Sequence, residues 1–210
     1  MAIPYFHVGF TQENGFMSNT YTTQRGLIDG IIAGERKAAY EFHERYSKRI
    51  SCWVWRLLGT DQEHADIVQQ IFINIFESLP GIKKAASLDA WVDSITIKTT
   101  RLELRKRKTR RTLFLARKDD SPNEPRDETS PFKQQHIKHF YKIINRMPTD
   151  DRIIYILRFL ESCTIEEIAA LGNYSTSTAK RRLNRAKAIF EKSVLNDFSL
   201  VSLVEEYHAI

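Results

Sequence analysis

Thr164-Ile-Glu-Glu-Ile-Ala-Ala-Leu-Gly-Asn-Tyr-Ser-Thr-Ser-Thr-Ala-Lys-Arg-Arg-Leu183 is the stretch from which the rest of the chain can be read. Thr164 and Glu167 have the spacing of a capping box, in which each side chain accepts the other residue's backbone N–H. Ile165, Ile168 and Ala169 give the short helix that follows one apolar side. Gly172 and Asn173 stop it, since both residue types tolerate a left-handed backbone. Ser175 is a good N-cap for a longer helix, on which Ala179, Leu183, Ala186 and Phe190 recur at spacings of four, three and four. Two short helices cross steeply only with a small residue between them, and Ala169 supplies it. The pattern predicts a helix-turn-helix. The other sides of its second helix carry Thr176, Ser177, Lys180, Arg181, Asn184 and Arg185, which can reach base edges and phosphates in a major groove. Between Ser175 and Lys192 six basic residues stand against one acid, favouring DNA over a generic helical hairpin.

Upstream, a helix spanning about Lys133 to Asn145 breaks at Met147-Pro148, and another runs from Thr149 to about Leu160. Before these, residues 119–131 hold five acids against Arg126, with Pro122, Pro125 and Pro131 interrupting any helix. This is a flexible acidic linker by composition. It divides the chain into two small helical domains, 25–118 and 132–192, flanked by extensions 1–24 and 193–210. The predicted fold class is all-α. In the last extension Phe198, Val201, Val204 and Tyr207 form a three-spaced stripe expected to pack on its own domain.

The first domain opens with Ala39, Phe42, Tyr46, Ile50, Val54 and Leu57 at helical spacing, closed by Gly59. Thr60 and Glu63 read as a second capping box. The helix behind it has a core stripe of Ile67, Val68, Ile71, Phe72, Ile75 and Leu79 and ends at Pro80-Gly81. Its opposite face carries Asp66, Gln69, Gln70, Ile73 and Glu77. An isoleucine among polar side chains marks a docking surface, although single exposed apolar residues are common. A third helix begins near Leu88, carries Trp91, Ile95 and Leu102 along one face, and enters a basic run.

That run decides the class of partner. The 210 residues carry a net charge of +6, yet Lys98 to Lys118 alone hold ten Lys/Arg against Glu103. Charge concentrated in this way suits a polyanion. Cys52 and Cys163 belong to no CxxC pair, which argues against zinc and disulfides and fits a reducing cytoplasm. No apolar run reaches the length of a membrane span, and the N-terminus lacks the pattern of a signal peptide.

The order of these parts resembles the extracytoplasmic-function sigma factors over residues 27–192. Asp66-Ile-Val-Gln-Gln-Ile-Phe72 is similar to a motif of that family, and Glu166 to Leu183 is similar, without gaps, to the family's second DNA-binding region. The resemblance implies promoter DNA and RNA polymerase core as partners, with no cofactor, no metal and no small-molecule substrate. Asp66, Gln69, Gln70 and Ile73 would dock on the β′ clamp helices. Lys83, Lys84, Ser87 and Trp91 would melt and read the −10 element, with Lys98, Arg101 and Arg105 on phosphates. The acidic linker would thread toward the active-site channel. The last domain would sit on the −35 element and the β flap, and an anti-sigma factor would regulate the whole. Three departures stand out. Ala65 and Gln70 replace the usual flanking acids, Lys98 replaces an Asn, and Gly172-Asn173 replaces Leu-Gly at the turn.

Three other readings compete with this one. A conventional helix-turn-helix regulator would bind DNA without touching polymerase. A nuclease or recombinase would need clustered carboxylates, and Asp61, Glu63, His64 and Asp66 are the one tight group. These lie at a helix start, where acids suit the dipole anyway. A membrane-surface protein would need large apolar residues opposite the basic run, which is not amphipathic throughout.

Overall fold

The computed structural model describes residue 21 and residues 23–59, 63–82, 88–113 and 131–195. Every regular element among them is helical, in the order α1 (Gln24–Ile32), α2 (Arg36–Leu58), α3 (His64–Ser78), α4 (Leu88–Leu113), α5 (Pro131–Ile144), α6 (Thr149–Phe159), α7 (Ile165–Gly172) and α8 (Thr176–Leu195), with a 3-10 turn at Leu79–Gly81. The acidic linker up to Ser130, the extension 1–20, the 198–207 stripe, Thr60, Asp61, Lys83, Lys84 and Ser87 lie outside the described residues.

The apolar core of the first domain begins on α1, where Leu27 and Ile28 are buried, ahead of the stripe on α2. Thr23 caps α1 by accepting the Gly26 N–H at 3.0 Å, and Gly34, at φ 78°, turns the chain into α2. On α2 the buried set begins at Ala38, one residue before the Ala39 expected, and continues through Phe42, Tyr46, Ile50, Val54 and Leu57. Gly59 ends the helix as expected, at φ 76°, with its N–H on the Trp55 carbonyl at 2.7 Å. On α3, Ile67, Ile71, Phe72 and Ile75 are buried, and Leu79 follows in the 3-10 turn. Thr60, one half of the expected capping box, lies outside the described residues; Glu63 precedes the helix as its N-cap, and its carboxylate accepts from Arg107 at 3.0 Å.

Helix α4 departs most from its sequence pattern. Leu102 is 50% exposed, while Leu88, Val92, Ile97 and Leu104 are buried together with Asp93, Thr96, Thr99 and Thr100. The cause is enclosure from two directions, by α2 and α3 on one side and by α6 and α7 on the other. Threonines tolerate this because their hydroxyls bond back along the helix, Thr96 to the Val92 carbonyl at 2.9 Å and Thr100 to that of Thr96 at 2.8 Å. A further hydroxyl, on Thr99, accepts from the Asn74 amide.

In the second half, α6 is buried along almost its whole length, from Asp151 to Leu157, between α8, α4, α2 and α7. Tyr155 stacks on Phe190 of α8, centroids 5.0 Å apart. The halves share one continuous apolar core. Across the seam the Tyr141 hydroxyl of α5 donates to the Arg56 carbonyl at 3.0 Å, and its ring meets Trp55 edge-on.

Candidate nucleic-acid interface

The helix-turn-helix forms as its residues dictate. Thr164 accepts the Glu167 N–H at 3.2 Å, and the Glu167 carboxylate accepts the Thr164 N–H at 2.7 Å. The Thr164 N–H and hydroxyl, both donating to that carboxylate, hold the Glu167 pKa below the usual carboxylate range. Asn173 alone is left-handed, at φ 54°. Gly172 stays in the helix and serves a different need, because a Cβ there would lie 2.2 Å from the Tyr174 ring. Ser175 caps α8 by accepting the Thr178 N–H at 3.2 Å. With Ala179, Leu183 and Ala186 buried, Ser177, Lys180, Arg181, Asn184 and Arg185 are exposed and Thr176 is half-buried.

Two acids in the first turn of α6 clamp this helix. Asp151 is wholly buried and holds Arg185, whose Nη2 donates to Oδ1 at 2.7 Å. Arg182 donates to Asp150 at 2.8 Å. Arg185 is therefore tethered at one edge while its residue stays exposed. Sequence reasoning passed over Asp150, Asp151 and Tyr174. Their only local signal was a pair of acids opening a helix, which the helix dipole explains by itself.

The basic residues of α4 divide. Lys98 is exposed and Trp91 half-buried. Arg101 and Arg105, expected to face phosphates, face the second half of the molecule instead. Arg105 donates to Asp150 at 3.1 Å, and Arg101 lies 3.3 Å from the same carboxylate while donating to the Gly172 carbonyl at 3.1 Å. Tyr174 completes the cluster with a 2.9 Å bond to Asp150, its ring between the guanidinium groups of Arg101 and Arg182 at 4.9 and 5.1 Å. Burial pushes the Asp150 pKa up, but the Tyr174 hydroxyl and Arg182, Arg105 and Arg101 outweigh it, and the net shift is downward. Burial and the bond to Asp150 push the Tyr174 phenol up to about 12, so it remains a donor.

On α3 the structure exposes Asp66, Gln69, Gln70 and Ile73 together, with Ile73 41% exposed and Gln70 bonded to Asn74 at 3.0 Å. Beside this face an open, largely apolar groove runs between α2 and α3, lined by His43, Val68, Gln69, Phe72 and Phe76. Of the acid and histidine group that a nuclease would need, His64 contacts the Ser51 carbonyl at 3.0 Å and Glu63 pairs with Arg107. No described cluster of three His, Cys, Asp or Glu could hold a metal. No described helix is long and apolar enough to cross a membrane.

Comparison with known proteins gives these surfaces their context. The family described as Sigma-70, region 4 matches residues 138–190, which hold α6, α7 and most of α8. RNA polymerase sigma factor SigV of Bacillus subtilis is 31% identical over 123 residues, covering 58% of this chain and 69% of that protein. The chain belongs to the extracytoplasmic-function sigma factors. The ECF RNA polymerase sigma-E factor of Haemophilus influenzae extends the likeness over 82% of this sigma factor and 95% of its relative, at 23% identity. Two solved structures share the fold. CnrH in complex with the cytosolic domain of CnrY has a TM-score of 0.56 at 17% identity, over 83% of this chain and 98% of that one. RpoE in complex with the anti-sigma factor NepR from Bartonella quintana has a TM-score of 0.57 at 19% identity, over 75% and 98%. As a sigma factor the protein directs RNA polymerase to promoters and initiates transcription, and the conventional-regulator reading is set aside.

Proposed function

We propose a division of labour among the helices of this sigma factor. The exposed face of α3, with Asp66, Gln69, Gln70 and Ile73, docks on the β′ clamp helices of RNA polymerase core. Residues 25–118 form the unit that opens and reads the −10 element, with Lys83, Lys84, Ser87 and Trp91 at the bases and Lys98, Arg101 and Arg105 on phosphates. Residues 132–192 form the −35 reader, in which Thr176, Ser177, Lys180, Arg181, Asn184 and Arg185 meet the major groove. The chain catalyses no reaction of its own and works in the cytoplasm.

The observation that carries this reading is the presentation of α8. Ala179, Leu183 and Ala186 fix it on α6 and α7, and Ser177, Lys180, Arg181 and Asn184 are exposed on the outer side. Phosphate contacts would position the duplex and base contacts would specify it. Two weak readers on one chain raise each other's effective concentration. The resemblance and the structural neighbours, CnrH bound to a domain of CnrY and RpoE bound to an anti-sigma factor, support a protein regulator that binds this chain as well.

Footprinting of the holoenzyme tests the −35 assignment. Arg181→Ala weakens upstream protection by about 1–3 kcal/mol if its contact is bidentate to a base, and an unchanged footprint moves the reader elsewhere. Asp66→Ala with Ile73→Ala reduces core capture with helicity retained. Undiminished capture removes α3 from the interface.

A further inference from the structure

The Asp150 carboxylate is the meeting point of the two halves. Arg101 and Arg105 approach it from α4, and Arg182 of α8 and the Tyr174 hydroxyl approach it from the second half. Arg101 is held closely, its side chain 15% exposed. Even so, the Nε atom of Arg182 is buried without a hydrogen-bond acceptor, and that of Arg101 reaches Asp150 Oδ1 only as a 3.3 Å ion pair. Three guanidinium groups and a phenol have more donors than two carboxylate oxygens can satisfy. A phosphate offers the same charge-assisted geometry with more acceptor oxygens. A second ionic contact spans the seam, between Arg56 of α2 and Glu161 beyond α6, both almost buried. Breaking a pair of that kind by removing one partner leaves an uncompensated buried charge.

We propose that Asp150 is an internal substitute for a DNA phosphate. In the free chain it holds Arg101 and Arg105 against the second half, closing the molecule and withholding these arginines from DNA until polymerase and promoter draw the halves apart. The inference rests on the reading of Arg101 and Arg105 as phosphate contacts. It adds that their availability is governed by competition within the chain. A chain whose competent form is a minor population binds with an affinity reduced by that fraction.

The test uses the full-length chain without polymerase, comparing wild type, Asp150→Asn and Glu161→Gln. Small-angle X-ray scattering reads the radius of gyration, fluorescence anisotropy with a labelled duplex of random sequence reads DNA affinity, and circular dichroism checks helicity. Both variants are expected to expand and to bind DNA about tenfold more tightly. Glu161→Gln leaves the Asp150 cluster and its hold on α8 intact, so it carries the test alone if Asp150→Asn loses helicity. An unchanged radius in the helical variants overturns the closed form, whatever the DNA affinity does. Arg101→Gln with Arg105→Gln in the Asp150→Asn background separates the two readings. Loss of the affinity gain supports both, whereas expansion without any gain, or a gain that survives these substitutions, overturns the phosphate reading and the competition built on it.

Discussion

At Gly172 a missing side chain does more than a flexible backbone. A Cβ there would meet the Tyr174 ring at 2.2 Å, and that ring is fixed by Asp150 and two guanidinium groups. Gly172→Ala is expected to cost roughly 1–3 kcal/mol in urea unfolding, the range for overpacking. Asn173→Gly, at the residue that does adopt the left-handed conformation, should cost far less. Asp93 shows a second effect at this scale. Burial pushes its carboxyl up from 3.8 to about 6 against the pull of Arg49, with Asp89 and Glu161 adding to the rise. As pH climbs from 3.8, the unfolded chain ionises first while the folded one keeps its proton. Stability from this group is therefore full below 3.8, declines as pH rises, and is lost above about 6. The loss amounts to no more than about 3 kcal/mol. Asp93→Asn should flatten that part of the stability–pH curve, read by urea titration across the window. An identical slope in the variant would remove Asp93 as its source.

At the scale of the element, legibility followed the number of buried faces. Helix α3 and the α7–α8 pair each bury one stripe, so periodicity and caps located them, and Thr164 and Glu167 form the box that their spacing predicts. Thr164→Ala is expected to cost about 1 kcal/mol, measured by thermal or urea unfolding. Helix α4 was misread because packing from two sides buries Thr96, Thr99 and Thr100, a requirement that no local window contains. The first-domain stripe from Phe42 to Leu57 lies on the single helix α2, as its spacing predicts. At the candidate site, exposure of Asp66, Gln69, Gln70, Ile73, Lys180 and Arg181 was legible from the helical wheel. The ties of Arg105 to Asp150, 45 residues away, and of Arg185 to Asp151, 34 residues away, were not, because long-range ion pairs leave no periodic trace.

For the whole molecule, the basic run of α4 and helix α8 are two cationic elements that a single carboxylate, Asp150, links. The exposed side of α3 lies outside this cluster, so the polymerase contact proposed for it does not compete with the seam. Multi-round transcription with purified core polymerase on a library of randomised promoters tests the central assignment most directly. Transcripts with defined starts should appear only when the chain is added, share two sequence elements upstream, and fall sharply with Lys180→Ala and Arg181→Ala. Core that yields the same transcripts with or without the chain would contradict it.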